Sequence, residues 1–383
     1  MSYNEKDLDL LFKEIDNSFS NDKENEIINN DKKKEENSNK ITVKKNKKKR
    51  KNKIWIVFFA LMDFIAFLGL FMMYGPISYF RNLWVTSAMS TMSHQYLAYT
   101  FFDRSEIEEI MNNNTVIESG ENTNVEEVNT DKKEPEILSE FDKEILTKDP
   151  DNDLYKVIDV SGDGYVGHLL VLYDPSKIKL IRSKNYPKYG QFLQKMLSDN
   201  NAVAGINASG FTYSDYSGYH INGTLVMNGE ILNYEEPTGW GGGIIGFTED
   251  DVLVLYKGTT EEAMKKFKLR DAVSFGPFLI VNGVPSEFKG NGGYGLAPRT
   301  AIGQRKDGIV LMLVIDGRRP GHSIGVDMLE LTNILLRYGA YNAVNLDGGG
   351  SSSMVVNNKL ISVSGGYGYS GERYLAHAWA IIP

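Results

Sequence analysis

The chain has 383 residues, a net charge of −8 and no cysteine, which excludes a catalytic thiol, a disulfide framework and zinc–thiolate sites. Its charge is uneven: residues 1–53 carry 15 Lys/Arg against 11 Asp/Glu, residues 103–153 carry 5 against 17, and residues 154–383 carry 21 against 21. A neutral C-terminal region gives no electrostatic reason to invoke nucleic acid.

Residues 1–39, rich in Asn, Lys, Glu and Asp, read as disordered apart from a short amphipathic helix around Leu8, Leu11, Phe12 and Ile15. Residues 40–53 add nine cations and no acid, so 1–53 form a basic tail. Ile54 to Tyr74 is a 21-residue apolar run with one charge, Asp63. That length spans a bilayer as a helix. Asp63 costs roughly 2.5–3.5 kcal/mol on the insertion scale, and the apolar majority outweighs it. It either faces a partner helix or is a tolerated defect. With the cations before the span, residues 54–75 are expected to form a single-pass type II anchor in the cell membrane, everything after it being extracytoplasmic. Residues 76–112 look helical, with His94 in a structural role, and acidic residues 113–153 read as a stalk.

From residue 154 the pattern changes to short apolar runs cut by Gly, Asn and Asp. Strands are expected at 167–173, 178–181, 202–207, 244–247, 252–256 and 278–281, and a short helix at 192–197. Asn222-Gly and Asn228-Gly bracket a hairpin, and Asn282-Gly marks a turn. Residues 308–315 are continuously apolar, as for a strand buried on both faces, and end at Asp316-Gly-Arg-Arg. A helix follows over 326–338, its stripe formed by Met328, Leu331, Leu335 and Tyr338, with Gly339 to stop it. Then comes a strand ending at Asp347. If these two strands are parallel, Asp316 and Asp347 emerge at one edge, where open α/β sheets bind ligands.

The stretch Asn345-Leu-Asp-Gly-Gly-Gly-Ser-Ser-Ser353 is the strongest chemical signal. Three glycines weaken a helix or strand, but they let backbone N–H groups approach a ligand and hold an anion. Gly348, Gly349, Gly350, Ser351 and Ser352 would form that cradle, with Asp347 at its rim. Beside N–H groups and arginines, Asp347 is expected to be ionised at neutral pH. Asp316, Asp347 and Glu372 are the carboxylates best placed for acid–base work, although Asp-Gly is also ordinary turn chemistry. Arg299, Arg318 and Arg373 adjoin glycine or acid motifs and suit bidentate phosphate recognition. His220, His322 and His377 are candidate acids or ligands. No metal-binding signature is present, though calcium on Asp side chains and carbonyls stays open. No other cofactor is called for.

Asn207-Ala-Ser-Gly-Phe211, Ala297-Pro-Arg-Thr-Ala-Ile-Gly303, Val314-Ile-Asp-Gly-Arg318, Gly339 to Ser353 and Gly371-Glu-Arg373 together resemble the phosphodiester glycosidase family. The resemblance covers residues 155–383. It implies hydrolysis of a sugar–phosphodiester bond, with release of the sugar and a phosphomonoester. It further implies Asp347 and Asp316 as catalytic carboxylates with Glu372 in reserve. Arg299, Thr300, Arg318, Arg373, Asn207, Gly348 to Ser352 and His377 would line the substrate site. Two departures stand out: Ala208-Ser209 replaces the family's usual double glycine, and His377 replaces a common Asn.

The expected protein is therefore an α+β one, a single extracytoplasmic domain at 154–383 with mixed sheet and few helices. Its substrate would be a carbohydrate phosphodiester of a cell-envelope glycan, and it would work as a homo-oligomer or in an envelope assembly complex. The alternative is a non-catalytic envelope protein that binds or positions phosphate-containing polysaccharide.

Overall fold

The apolar run at 308–315 forms a central strand whose six residues, Val310–Ile315, are all buried. Val310, Met312 and Val314 face one core cluster, and Leu311, Leu313 and Ile315 face another. That alternation explains why the run carries no polar residue: each face of the strand has its own core. The computed structural model describes residues 5–91, 94–129, 137–234, 242–363 and 372–383. It divides into two compact units, Met1–Ile77 and Ser78–Pro383.

The strands that matter for the site are β1 (Thr115–Ile117), β2 (Ala204–Asn207), β3 (Arg299–Arg305), β4 (Val310–Ile315), β5 (Ala340–Asn345) and β6 (His377–Ile381). A seven-stranded sheet runs Val284–Pro285, Phe278–Val281, β5, β3, β4, Tyr165–Leu172, Tyr155–Gly162. Every pairing in it is antiparallel. The strand–helix–strand reading is thus modified. β4 and β5 do run in the same direction, but β3 lies between them, antiparallel to both. Both still end at the edge where β3 begins, with Arg299 opposite Ile315 and Ala301 opposite Asn345.

The helix Met328–Arg337 covers one face of this sheet through Met328, Leu331 and Leu335. Asp327 caps its start by accepting from the Glu330 N–H at 2.9 Å, and Gly339 follows its end at φ +76°. A five-stranded sheet containing β2 and β6 supplies Ile206 and Trp379 to the core on the other face. A third, five-stranded sheet adds Phe247, Leu253 and Val273. Among the described residues this is an α+β fold, dominated by antiparallel sheet with few helices.

Two N-terminal expectations need correction. The tail at 1–39 is not disordered where it is described: one helix runs Glu5–Tyr74. Residues 5–68 contain neither glycine nor proline, so nothing in the backbone chemistry breaks it before Gly75-Pro76. Within it, Trp55–Tyr74 is long and apolar enough to cross a membrane, with a mean hydropathy of 2.4.

The acidic stretch is the second correction, because much of it is built into the folded unit. β1 pairs with Glu287–Lys289. Glu118 accepts from the Gly242 N–H at 2.9 Å and from the Phe278 N–H, and it pairs with Lys257 at 3.0 Å. Thr123 exchanges hydrogen bonds with Leu255, and Asp142 meets Arg305 at 2.8 Å. The helix Glu140–Leu146 buries Ile145 completely. Composition counts charges, and here those charges have partners. Residues 130–136 of this stretch lie outside the described residues. Residues 78–113 hold the helices Ser78–Met89, Tyr96–Tyr99 and Arg104–Asn113. They bury Val85, Ala98 and Ile107 in the same unit.

Candidate active site

At the edge where β4 and β5 end, four segments are tied together by one amide. Asn207, the last residue of β2, donates from Nδ2 to the Asp347 carbonyl at 2.6 Å. Its Oδ1 accepts from the Thr300 hydroxyl at 2.8 Å and from the Ser353 N–H at 3.1 Å. Three hydrogen bonds thereby converge on a residue only 1% exposed. Asn207 and Thr300 are both committed to this clamp, so they position Asp347.

Asp347 leaves β5, its N–H donating to the Ala208 carbonyl at 3.2 Å. The chain then makes a one-turn 3-10 helix, Gly349–Ser351. Gly349 has φ +60°, and an added Cβ would lie 3.2 Å from Nη2 of Arg318. Glycine suits both that backbone conformation and the close approach. Arg318, itself at φ +57°, therefore rests against the glycine loop. Arg373 reaches it from the other side of the sequence, donating from Nη1 to Ser351 Oγ at 3.0 Å. Asp347, the Gly348–Ser351 loop, Arg318 and Arg373 are thus brought together.

Burial pushes the Asp347 carboxyl above its ordinary value, and the Ser351 hydroxyl, Arg373 charge and Gly348 N–H only partly offset it. The expectation of a simply ionised Asp347 counted the partners and omitted the burial. Glu372 is also raised, by burial alone. Asp316 has a different environment. It is 1% exposed, with Oδ1 accepting from the Val363 N–H at 2.6 Å and Oδ2 2.8 Å from His322 Nε2. Both oxygens are engaged inside the protein, and the accessible member of the pair is the imidazole, 43% exposed.

Arg299 has been given structural work as well. Nε donates to the Val326 carbonyl at 3.1 Å, and Nη2 donates to Tyr294 at 2.8 Å and Gly295 at 2.6 Å. Burial lowers its pKa to about 10. It braces the 294–298 loop, where Gly295 packs so closely on Ser87 that a Cβ would lie 2.7 Å from its Cα. Arg299→Lys is expected to lose at least two of these bonds and destabilise the domain by about 2–4 kcal/mol. Denaturant unfolding checks this; a variant with unchanged stability would return Arg299 to substrate binding.

His377, on β6, is 1% exposed and held neutral, its pKa lowered to about 3 by burial. Nε2 accepts from the Ser209 N–H at 3.2 Å and lies 2.7 Å from Ser209 Oγ. The two departures from the family pattern therefore touch each other. Ser209 was not singled out as a site residue; its only signal was replacement of a glycine. Ser352 is buried, with no partner for Oγ among the described residues, and Gly350 lies within the 3-10 turn. His220, on the strand Gly218–Ile221, is half-buried. Gly371 lies outside the described residues. No group of three or more His, Asp or Glu able to hold a metal occurs among the described residues.

A carboxylate beside a glycine turn, with two arginines against the same loop, is an arrangement that can hold an anion. Residues 200–382 match the family model described as phosphodiester glycosidase. It is 29% identical over 173 residues to an uncharacterised prophage-derived protein of Bacillus subtilis, YomE, over 44% of this chain and 26% of that one. It is 26% identical over 181 residues to human N-acetylglucosamine-1-phosphodiester alpha-N-acetylglucosaminidase, over 45% of this chain and 30% of that one. The chain thus matches less than a third of the length of these relatives. The fold is shared with the catalytic domain of the zebrafish enzyme of the same name. That match has a TM-score of 0.50 and 17% identity, and covers 62% of this chain and 86% of that one.

Proposed function

We propose that the protein hydrolyses the glycosidic bond of a sugar-1-phosphodiester in a cell-envelope glycan. The observation that carries this reading is Asp347 beside Ser351, which accepts from Arg373, with Arg318 against the same glycine loop. The two arginines would hold the phosphate, while the loop cradles sugar or phosphate oxygens. Asp347 attacks C1 as nucleophile, or takes a proton from the water that attacks it. The C1–O bond breaks with its electrons going to the phosphate, a water oxygen ends on C1, and the phosphomonoester leaves. Glu372, raised by burial, is suited to hold a proton for that departure. Asp316 orients His322 and acts through it. Arg299, Thr300 and Asn207 keep the frame.

The cations of 40–53 before the apolar helix support a type II anchor with the domain outside the cytoplasm. Full-length protein incubated with a panel of sugar-1-phosphodiesters should release phosphomonoester and free sugar. Protease added to intact cells should digest residues beyond 80 and spare the first 50. Tight binding with no release from any substrate would favour the non-catalytic glycan-binding alternative.

A further inference from the structure

Arg373 has a second set of neighbours. Its guanidinium carbon lies 4.5 Å from the ring centroid of Phe211. Phe211 stacks on Tyr219 at 5.5 Å, and Tyr219 packs on Tyr213 at 4.9 Å. These three rings stand on the hairpin formed by Phe211–Ser214 and Gly218–Ile221. The Tyr219 N–H donates to the Pro187 carbonyl at 2.6 Å, which seats the following turn, with Tyr189, against the hairpin. Tyr374, next to Arg373, stacks on Phe192 at 4.2 Å and 17°.

The rings of Phe211, Tyr219 and Tyr213 thus lead from Arg373 out to the surface, with Tyr189 and Tyr374 on adjoining segments. There Tyr213, Tyr189 and Tyr374 are 53%, 54% and 50% exposed. Cations accompany them: the Lys188 ammonium is 5.4 Å from the Tyr189 ring, and the Arg182 guanidinium is 5.4 Å from the Tyr186 ring. Tyrosines held by ring contacts offer flat apolar faces with polar rims at small entropic cost. Those faces match the C–H face of a pyranose, and the hydroxyls match its equatorial groups. Interleaved cations suit phosphates repeated along a chain.

We infer that this tyrosine-rich surface, continuous with Arg373, is a subsite for the glycan strand that carries the phosphodiester, with rings stacking on sugars and cations meeting the neighbouring phosphates. The inference deepens the proposed function and rests on it for the identity of the scissile bond. The substrate is then a sugar–phosphate polymer, engaged over several units.

The test uses the full-length chain and the double variant Tyr189→Ala/Tyr213→Ala, two exposed positions apart from the catalytic groups. Binding of a purified poly(glycosyl phosphate) is measured by calorimetry beside uncharged dextran and inorganic polyphosphate. Hydrolysis of a single-unit sugar-1-phosphodiester is measured in parallel. The wild type should bind the sugar–phosphate polymer and neither control. The variant should bind it on the order of tenfold more weakly (about 1.4 kcal/mol), with turnover of the single-unit substrate unchanged. Equal binding of polyphosphate, unaltered binding by the variant, or no binding by the wild type would each overturn the subsite. Polymer binding that depends on the two tyrosines, without hydrolysis of any phosphodiester, would support the subsite and remove the proposed function instead.

Discussion

Asp347→Asn is expected to lower turnover of a sugar-1-phosphodiester by on the order of 10²–10⁴ while the domain stays folded. The amide keeps the shape and still accepts from Ser351, so the loop has no reason to move. What it loses is the ability to attack C1 or take a proton from water. Because burial raises this carboxyl above its ordinary 3.8, activity should fall as pH drops through a value higher than 3.8. The stability effect has the opposite sense. A folded-state pKa raised above the unfolded one gives a contribution fully present below 3.8 and lost as pH rises through the raised value. Asparagine does not titrate, so at neutral pH the variant should be as stable as its parent or more so. Steady-state kinetics and denaturant melts at acidic and neutral pH check both halves. Near-parental turnover by the folded variant would dismiss Asp347 as the reacting group.

A chain beginning at Leu154 is expected not to fold, whereas one beginning at Ser78 should. The shorter chain lacks β1, the Glu118 carboxylate, the Thr123 contacts and the helix that buries Ile145. Within the intact chain, Glu118→Ala isolates one part of that loss. It leaves the Gly242 and Phe278 N–H groups and the Lys257 ammonium without their shared acceptor. Stranding these groups should cost about 3–5 kcal/mol. Circular dichroism and size-exclusion chromatography of the truncated chains, with denaturant melts of Glu118→Ala, give the measurements. A soluble, cooperatively melting chain from Leu154 would restore the acidic segment to the role of a spacer.

The parts of this protein that could be read from sequence are those fixed by local rules. The buried strand at 310–315 announces itself by unbroken apolar residues. The helix Met328–Arg337 is marked by its stripe and by glycine at its end. Placement of Asp316 and Asp347 at one edge follows from the shared direction of β4 and β5, even though β3 lies between them. Partner choice over long distances was not legible. Nothing in Arg299 itself says that it meets three carbonyls, since guanidinium suits those as well as phosphate. Glu118 looks like any acid in an acidic run until the N–H groups 124 and 160 positions away are placed beside it. The charge state of Asp347 depends on burial, a property of the assembled sheet. The contact of Ser209 with His377 spans 168 positions, and only the pairing of β2 with β6 brings it about.

That last pairing bears on timing during synthesis. Asn207, which holds Asp347, lies in a strand whose neighbour on one side is β6, so its position is not fixed until residues 377–381 have joined the sheet. Arg373 arrives only a few residues earlier. A nascent chain that has already made Asp347 and its glycine loop still lacks both the anchored clamp and the second arginine. The clamp around Asp347 would then be complete only once residues 377–381 have joined the sheet.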